Sequence, residues 1–194
     1  MHLRELRKQD VPLMLEWMHD ESIAHDLQTD FASKTIEDCE KFIDDSLLDA
    51  HNLHLAIADE SDIYQGTVSL KNIFDRNAEF AITIRSCAMG KGIAVVAMKK
   101  IIEVGFEEKG LDSIYWCVSP DNKRAIRFYD KNGYHRVSPD ALNIRGGGTA
   151  KHRFEDTIGI SSQERKGGTE FPDKEPEHKT EYGFSFPSFC YLKR

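Results

Sequence analysis

The sequence predicts an α/β fold in which a sheet that contains an antiparallel hairpin is flanked by helices. Two strand-forming segments, 64–73 and 78–85, are separated only by the turn-forming residues FDRN, which favours a hairpin. A glycine-rich loop and a long helical pattern, MGKGIAVVAMKKIIEVGFEEKG, follow directly. Helical patterns also precede the hairpin, so helices and strands are mixed along the chain.

The N-terminal third is predicted to hold one short strand and two helices. Residues 2–6 form the extended segment, and Asp10 is placed to cap a helix that runs to about Met18. A second helix is expected from Thr35, because its apolar residues recur at helical spacing. They are Ile36, Cys39, Phe42, Ile43 and Leu47. The polar link between the helices, 19–34, is a candidate substrate loop.

The rest of the organised chain alternates strands and helices. Residues 52–59 form a strand before the hairpin, and the aromatic and β-branched run 113–119 forms another after the helix that ends at Gly110. Asp121 or Asn122 caps a further helix, which stops at Gly133. A last strand is expected at 134–138.

The chain is predicted to divide into a core, residues 1–138, and an atypical C-terminal segment, residues 139–194. The pattern weakens after the core, where 153–160 and 180–189 are candidates for final strands before or within a tail.

Composition excludes several function classes. The net charge of −7 argues against binding of a nucleic-acid backbone and suits cationic substrates such as amines. No apolar run is long enough for a membrane span, and the N-terminus lacks a signal-peptide pattern, so a cytoplasmic protein is expected. No CxxC pair occurs among the four cysteines, so free thiols are expected. No metal site is expected either, because the HxxH pair of His51 and His54 lacks a carboxylate motif.

The loop before the long helix has the features of an anion site. Glycines allow close approach of main-chain N–H groups, and the helix N-terminus adds partial positive charge. A nucleoside-triphosphate loop does not fit, because Lys91 is followed by Gly92 rather than by Ser or Thr. A dinucleotide loop does not fit either, because Val95 stands where a third glycine is required. The remaining option is the pyrophosphate loop of acyl-coenzyme A-dependent N-acyltransferases.

Residues 78–138 resemble the core of the GNAT superfamily of N-acetyltransferases, and DVPLMLEWMHD resembles its branch of ribosomal-protein and amino-sugar acetyltransferases. The resemblance is carried by GKGIA followed at the right distance by NKRAIRFYDKNGY. The family loop [QR]xxGx[GA] is filled here by Met89, Gly90, Lys91, Gly92, Ile93 and Ala94. Met89 replaces the usual Gln or Arg. The resemblance implies a mixed, mostly antiparallel sheet flanked by helices, with a V-shaped splay between the fourth and fifth strands.

The resemblance also implies acetyl-CoA as co-substrate, with the six loop residues around its pyrophosphate. Its pantetheine arm would pair with the strand main chain at Thr83, Ile84 and Arg85, where an unpaired N–H would stabilise the developing negative charge. Asn122 would fix its helix and contact the cofactor, or act as a simple N-cap. Arg124 belongs to a basic cluster that would meet the 3′-phosphate or form a solvated helix face.

Two catalytic residues are implied by the same resemblance. Tyr129 would donate a proton to the departing thiolate, although a buried core tyrosine is the alternative. Glu79 would act as general base, against the alternative of a solvated strand carboxylate. Asp75 and His54 are weaker candidates for the base.

The function implied is an N-acetyltransferase that moves an acetyl group from acetyl-CoA to a primary amine of a small molecule by direct attack. An amino sugar, an aminoglycoside or a polyamine is the expected acceptor. The alternatives are a protein N-terminus, as in the ribosomal-protein branch, and a non-catalytic acyl-CoA-binding module. The partners expected are the small amine, no nucleic acid and no membrane, and a homodimer stays open.

Overall fold

The computed structural model describes residues 1–25, 27, 30–138, 143–144, 148–149 and 190–194. The chain divides into two units. The first consists of Met1–Trp116 with Leu192–Arg194, and the second is Cys117–Tyr191. The predicted boundary at residue 138 and the two candidate strands 153–160 and 180–189 stay predictions, and both candidates lie outside the described residues.

A mixed sheet forms the centre of the first unit. Its strands are β1 (His2–Glu5), β2 (Leu53–Ala58), β3 (Tyr64–Phe74), β4 (Asn77–Ile84) and β5 (Ser113–Cys117), side by side in that order. The pairs β1–β2, β2–β3 and β3–β4 are antiparallel, and β4–β5 is parallel. The predicted mixed, mostly antiparallel sheet is confirmed.

The hairpin between β3 and β4 closes through Asp75 and Arg76. Both have positive φ angles, 45° and 61°, which is the backbone of a two-residue turn whose twist matches that of the flanking strands. The hairpin predicted from the short FDRN link is therefore confirmed, and β4 begins within that link at Asn77.

Strands β4 and β5 are paired over only part of their length. The pairs are Asn77 with Ser113, Ala78 with Ile114 and Glu79 with Tyr115, while β4 continues to Ile84. Among the described residues, 80–84 have no partner on β5. The predicted splay between the fourth and fifth strands is therefore confirmed.

Helices cover the sheet. On one side lie α1 (Val11–Met18), α2 (Glu21–Ala24) and α3 (Ile36–Ser46), which share a core with β2 and β3. Buried members of this core include Val11, Met14, Trp17, Ile23, Cys39, Ile43, Ala56 and Tyr64. The helix α4 (Ile93–Glu103) contacts β1, β3 and β4 and continues as one π-helical turn, Val104–Glu108. Alternation along β3 serves both layers: Leu70 lies against Gly105 after α4, whereas Ser69 faces the other way.

The two predicted helix starts have different outcomes. Thr35 caps α3 as expected, since its Oγ accepts a hydrogen bond from the Asp38 N–H while the Asp38 carboxylate accepts one from the Thr35 N–H. Asp10 occupies the predicted N-cap position of α1, but its side chain makes no capping hydrogen bond there. Its buried carboxylate instead takes two hydrogen bonds from the Arg4 guanidinium, at 2.7 and 2.8 Å, and one from the Arg7 N–H. A nearby buried cation outweighs the capping bond.

The apolar face predicted for α3 is only partly buried. Cys39 and Ile43 enter the core, whereas Ile36 and Leu47, at the two ends of the pattern, are exposed.

The second unit contains α5 (Lys123–Lys131), β6 (Arg136–Val137) and a pair of two-residue strands, β7 (Asn143–Ile144) and β8 (Gly148–Thr149). The predicted stop of α5 is confirmed by Gly133, which has a φ of 75°. A strand at the C-terminal end, β9 (Cys190–Lys193), pairs antiparallel with β6 through Arg136–Tyr191 and Val137–Cys190.

Two cysteines of the second unit, Cys117 and Cys190, form a disulfide, so the prediction of four free thiols is wrong for this pair. They are 73 residues apart in sequence, and no local spacing pattern could have indicated the bond. Cys39 and Cys87 are free.

Within the described ranges no helix is long and apolar enough to cross a membrane. The same ranges contain no group of three or more His, Cys, Asp or Glu side chains placed to hold a metal ion.

Candidate functional site

The glycine-rich loop presents main-chain N–H groups at the start of α4. Gly90 and Gly92 have φ angles of 74° and 75°, and Gly92 is the N-cap residue. Among the described residues, the N–H groups of Gly90, Lys91 and Gly92 donate no hydrogen bond. Unpaired donors at the positive end of an eleven-residue helix bind an anion such as a diphosphate.

The side chains of the loop have other roles. Met89, at the position where the resemblance expects Gln or Arg, is half-buried and packs against the core under α1 and α3. Lys91 is exposed, and Ile93 and Ala94 lie half-buried in the first turn of α4. The loop can therefore hold an anion through its main chain without the missing Gln or Arg.

The end of β4 is fixed on one edge and free of β5 on the other. Thr83 and Ile84 pair with Thr67 and Gly66 of β3. The N–H of Arg85 donates to the Gln65 carbonyl at 2.9 Å. The edge turned away from β3 offers main-chain groups to an extended ligand, in the manner of an added strand.

Arg85 itself is tied to α1. Its Nε and Nη2 donate to the Glu16 carboxylate at 3.1 and 2.7 Å, and its Nη1 donates to the Tyr64 carbonyl at 2.9 Å. The hydrogen bonds to Glu16 raise the pKa of Arg85. Its side chain therefore anchors the strand to the helix layer. Its main chain is also engaged, because its N–H donates to the Gln65 carbonyl and its carbonyl accepts from the Ala88 N–H at 2.9 Å, so its contact with the pantetheine arm stays a prediction.

A cavity of about 460 Å³ lies within the first unit between the sheet and the helices α1 and α3, and we call it the helix–sheet cavity. Its floor consists of side chains from β2, β3 and β4: His54, Thr67, Ser69, Lys71, Ala81 and Thr83. Its roof is apolar and comes from the helices and the link between them: Met14, Trp17, Met18, Phe31, Cys39 and Phe42. Ile82 of β4 and four charged residues, Lys34, Asp38, Lys41 and Asp45, complete the lining. The predicted substrate loop 19–34 thus contributes Phe31 and Lys34.

A buried hydrogen-bonded chain joins the roof to the floor. The Trp17 Nε1–H donates to the Tyr64 hydroxyl at 2.9 Å, and that hydroxyl lies 2.7 Å from the Thr67 Oγ1. Burial raises the pKa of Tyr64, so the phenol stays protonated. Tyr64 therefore fixes one aromatic wall and one floor hydroxyl relative to each other.

His54 lies on the floor with one ring nitrogen engaged. Its Nδ1 is 2.8 Å from the Ser69 Oγ, and its ring meets the Phe42 ring edge-on with centroids 4.8 Å apart. Burial, and secondarily the charge of Lys71, lower the pKa of His54 below its usual value. The imidazole is therefore neutral at neutral pH.

Glu79 lies on the same face of β4 as Ala81 and Thr83, next to the floor. Its Oε1 is 3.1 Å from the Lys71 Nζ, and its Oε2 accepts a hydrogen bond from the Asn72 amide at 3.1 Å. The cavity lining reaches this carboxylate only through Lys71. Its catalytic role stays a prediction, as does that of Asp75, which lies in the exposed hairpin turn.

Three predicted site residues belong to the second unit. Asn122 caps α5, because its Oδ1 accepts a hydrogen bond from the Ala125 N–H at 2.9 Å. Arg124 is exposed on the same helix. The cofactor roles of both stay predictions.

Tyr129, the third of these residues, is buried in an aromatic cluster. Its ring centroid lies 5.1, 6.2 and 5.0 Å from those of Phe128, Tyr134 and Tyr191. Burial raises the pKa of Tyr129, so its phenol keeps its proton at neutral pH. This environment suits a proton donor and equally a core tyrosine, so the catalytic role stays a prediction.

Sequence reasoning missed most of the cavity floor. The signal was present in β3, where polar Thr67, Ser69 and Lys71 alternate with apolar Val68 and Leu70. That alternation indicates one polar face on a strand in the middle of the sheet, which is the arrangement of a ligand site.

Comparison with known proteins places the chain in a family. Residues 1–135 match the model of the acetyltransferase (GNAT) domain. Acetyltransferase PseH of Campylobacter jejuni subsp. jejuni (serotype O:23/36, strain 81-176) is 22% identical over 130 residues, 67% of this chain and 80% of that protein. Spermidine N(1)-acetyltransferase of Escherichia coli (strain K12) is 38% identical over 63 residues, 32% of this chain and 34% of that protein.

Solved structures share the fold. The crystal structure of spermidine N-acetyltransferase from Vibrio cholerae in complex with CoA and spermine has a TM-score of 0.60 at 21% identity. The alignment covers 76% of this chain and 88% of that one. A probable acetyltransferase of known structure aligns with a TM-score of 0.62 at 21% identity, over 76% of this chain and 87% of that one.

Proposed function

The chain belongs to the GNAT acetyltransferase family, and we propose that it acetylates the primary amine of a small hydroxylated molecule such as an amino sugar. It is an acetyltransferase, and acetyl-CoA is its co-substrate. The observation that carries the choice of acceptor is the helix–sheet cavity, with its hydroxyl-bearing floor and aromatic roof.

The cofactor half of the proposal rests on main-chain groups. The N–H groups of Gly90, Lys91 and Gly92 would hold the diphosphate, and the free edge of β4 at Thr83 and Ile84 would pair with the pantetheine arm. Asn122 and Arg124 remain the proposed contacts from α5. Acetyl-CoA supplies the activated acetyl group as a thioester.

The acceptor half rests on the helix–sheet cavity. Its volume of about 460 Å³ lies within the range of small-molecule pockets, and its lining includes Thr83 at the proposed pantetheine strand. Thr67 and Ser69 offer hydroxyl groups to a polyhydroxylated ring, while Trp17 and Phe42 offer apolar faces to the carbon side of the same ring. This combination is typical of carbohydrate recognition.

The charges of the cavity favour a hydroxylated monoamine over a polycation. Asp45 is paired with Lys41 at 2.6 Å, and Asp38 accepts the N-cap hydrogen bond of Thr35. With Lys34 and Lys71 also in the lining, no pair of uncommitted carboxylates faces the described cavity. A polyamine remains the second candidate, because the 63-residue match is to a spermidine acetyltransferase.

Chemistry would proceed by direct attack of the amine on the acetyl carbon. We propose that Tyr129, protonated because of its burial, gives its phenol proton to the departing thiolate. Glu79 is the residue that the family resemblance proposes for the opposite task, removal of a proton from the attacking amine.

The cellular compartment and the oligomeric state of the protein are also proposals. Acetyl-CoA is a metabolite of the cytoplasm, which supports a cytoplasmic enzyme. The Cys117–Cys190 disulfide argues the other way, because disulfides are rare in that compartment. Counting free thiols in protein extracted under alkylating conditions distinguishes the two. A homodimer stays a prediction that light scattering can test. Binding assays can test the prediction that the protein binds neither nucleic acid nor membranes.

The primary test measures release of the CoA thiol with four amines: glucosamine, kanamycin, spermidine and a peptide with a free N-terminus. We expect glucosamine, a hydroxylated monoamine, to give the highest kcat/KM. Faster turnover with kanamycin, a hydroxylated polycation, would contradict the argument from the cavity charges. Faster turnover with spermidine or the peptide would contradict the proposed acceptor class. The binding-module alternative predicts a thermal shift with acetyl-CoA but no thiol release. Acetyl-CoA at about 100 times its Kd adds about 2.7 kcal/mol to stability, and ATP and NAD serve as controls.

The role of Tyr129 is tested with Tyr129→Phe. We expect kcat to fall about 100-fold with little change in the Kd of acetyl-CoA, because only the proton donor is removed. Tyr134→Phe is the matched control, since Tyr134 lies in the same aromatic cluster. Equal kcat values for the two variants would rule out the donor role.

A further inference from the structure

We propose that His54 is the general base of the acetyl transfer, positioned by Ser69 on the floor of the helix–sheet cavity. This role rests on the proposed function, because it requires an amine in that cavity. Among the described residues, the Nε2 of His54 has no hydrogen-bond partner, while its Nδ1 lies 2.8 Å from the Ser69 Oγ.

The hydrogen bond to Ser69 defines which nitrogen can accept a proton. In the proposed tautomer, the Nδ1–H donates to the Ser69 Oγ, so the lone pair is on Nε2. Phe42 packs edge-on against the ring and restricts its rotation. An imidazole held by one hydrogen bond and one aromatic contact is pre-organised as a base.

The register of the sheet places His54 beside the proposed acetyl site. His54 pairs with Ser69, and Ser69 pairs with Ala81, so the three lie in one row across β2, β3 and β4. The next row toward the end of β4 contains Thr67 and Thr83. Adjacent strands are about 5 Å apart, so His54 and Ala81 are separated by about 10 Å between Cα atoms. An amine in the cavity can therefore lie between the imidazole and the strand that would hold the thioester.

The surroundings keep His54 unprotonated and available. Burial is the main cause that lowers the pKa of His54; the charge of Lys71 on β3 lowers it further, and the charge of Asp49 before β2 acts in the opposite direction. From α3, Lys41 and Asp45 face the same cavity as an ion pair. Lys34 and Asp38 also line it, and Asp38 is engaged with the N-terminus of α3.

The described contacts favour His54 over Glu79 for this task. Both oxygens of Glu79 are engaged, one by the Lys71 ammonium and the other by the Asn72 amide. His54 lines the floor of the helix–sheet cavity, whereas Glu79 is absent from its lining. Glu79 then has the role of holding Lys71 beside the floor.

The proton balance of the step is complete. The substrate ammonium loses two protons as its nitrogen forms the amide bond and the C–S bond breaks. His54 Nε2 takes one of these protons and passes it to solvent. Tyr129 protonates the leaving thiolate, and the second amine proton replaces the one that the phenol gave. No further reactant is required.

The test compares His54→Gln with His51→Gln in the thiol-release assay, using the best of the four amines above. His51 lies three residues earlier, is exposed, and does not line the cavity. We expect His54→Gln to lower kcat about 100-fold at pH 7, with an unchanged Kd for acetyl-CoA. The loss of kcat in His54→Gln should become smaller as the pH approaches the pKa of the amine substrate. His51→Gln should retain full activity, and Ser69→Ala should lose about 10-fold.

A second measurement is independent of turnover. The ¹H–¹⁵N correlation spectrum of the imidazoles, assigned by comparison with His54→Gln, should show His54 neutral at pH 7 with its proton on Nδ1. A proton on Nε2, or a cationic ring, would overturn the proposal.

The outcomes separate the two levels of inference. If the wild-type protein acetylates an amine and His54→Gln is as active at pH 7, the base proposal is wrong and the proposed function stands. A loss confined to Glu79→Gln would give the role to that carboxylate. If the wild-type protein acetylates none of the amines, the proposed function fails and the base proposal fails with it.

Discussion

Replacement of Tyr64 by Phe tests the hydrogen-bonded chain between the roof and the floor of the helix–sheet cavity. The substitution keeps the ring in the core but removes the hydroxyl that accepts from the Trp17 Nε1–H and bonds the Thr67 Oγ1. Trp17 is 4% exposed, so its indole N–H is left buried without that partner. An unsatisfied buried donor costs about 1–3 kcal/mol.

The effect is large enough to measure by thermal unfolding. A loss of about 2 kcal/mol lowers Tm by about 4–8 °C for a chain of this length. A double-mutant cycle with Thr67→Val should show a coupling energy of about 1 kcal/mol, because both changes remove one interaction. Strict additivity, or a Tm within 1 °C of wild type, would refute the reasoning.

The same variant has a kinetic signature. Trp17 and Thr67 both line the cavity, so loosening them should raise the KM of the amine several-fold. The Kd of acetyl-CoA should not change, because none of the proposed cofactor contacts bonds the Tyr64 hydroxyl, whose partners are Trp17 and Thr67. A rise in the acetyl-CoA Kd instead would indicate general misfolding.

Three further predictions concern other parts of the chain. Gly92→Ala should weaken acetyl-CoA binding about 10-fold, as measured by calorimetry. The space around Gly92 is open, but a side chain at a φ of 75° costs about 1–2 kcal/mol. The control Lys91→Ala, at the neighbouring exposed position, should bind acetyl-CoA nearly as well as wild type. The hydrogen bonds of Arg4 and Arg7 lower the pKa of Asp62 from 3.8 to about 2. This ion-paired carboxylate therefore stabilises the fold above pH 4, and its contribution is lost as the pH falls toward 2. In Asp62→Asn, the free energy of unfolding should depend less on pH between 4 and 2. Reduction of the Cys117–Cys190 disulfide should lower Tm in wild type but not in the Cys117→Ala/Cys190→Ala variant; an equal response of both proteins would mean that the bond does not stabilise the protein.

Features fixed by local interactions were predictable from the sequence. The β3–β4 hairpin, the α3 cap at Thr35 and the stop of α5 at Gly133 each depend on a few neighbouring residues. The glycine loop was predictable for the same reason, since its φ angles and its helix follow from GKG and the pattern after it.

Features that depend on distant partners were not predictable. Asp10 has the residue type of an N-cap, but the cation that engages it, Arg4, is positioned by the pairing of β1 with β2. The Cys117–Cys190 bond joins residues separated by 73 positions. The ranking of His54 among the candidate bases changed for a related reason: its partner Ser69 is set by strand register, and a single sequence does not reveal register between β2 and β3.

In the first unit, the proposed cofactor contacts and the proposed acceptor contacts are made by different kinds of atoms, and this affects how such an enzyme can acquire new substrates. The proposed cofactor contacts, in the glycine-rich loop and along the β4 edge, are backbone atoms. The roof of the helix–sheet cavity is instead built from side chains that include the adaptable Met14 and Met18. Mutations in the roof can therefore reshape the acceptor preference while the donor chemistry is inherited unchanged. A library randomised at Met14, Met18 and Phe31 is the natural starting point for evolving this scaffold toward other amines.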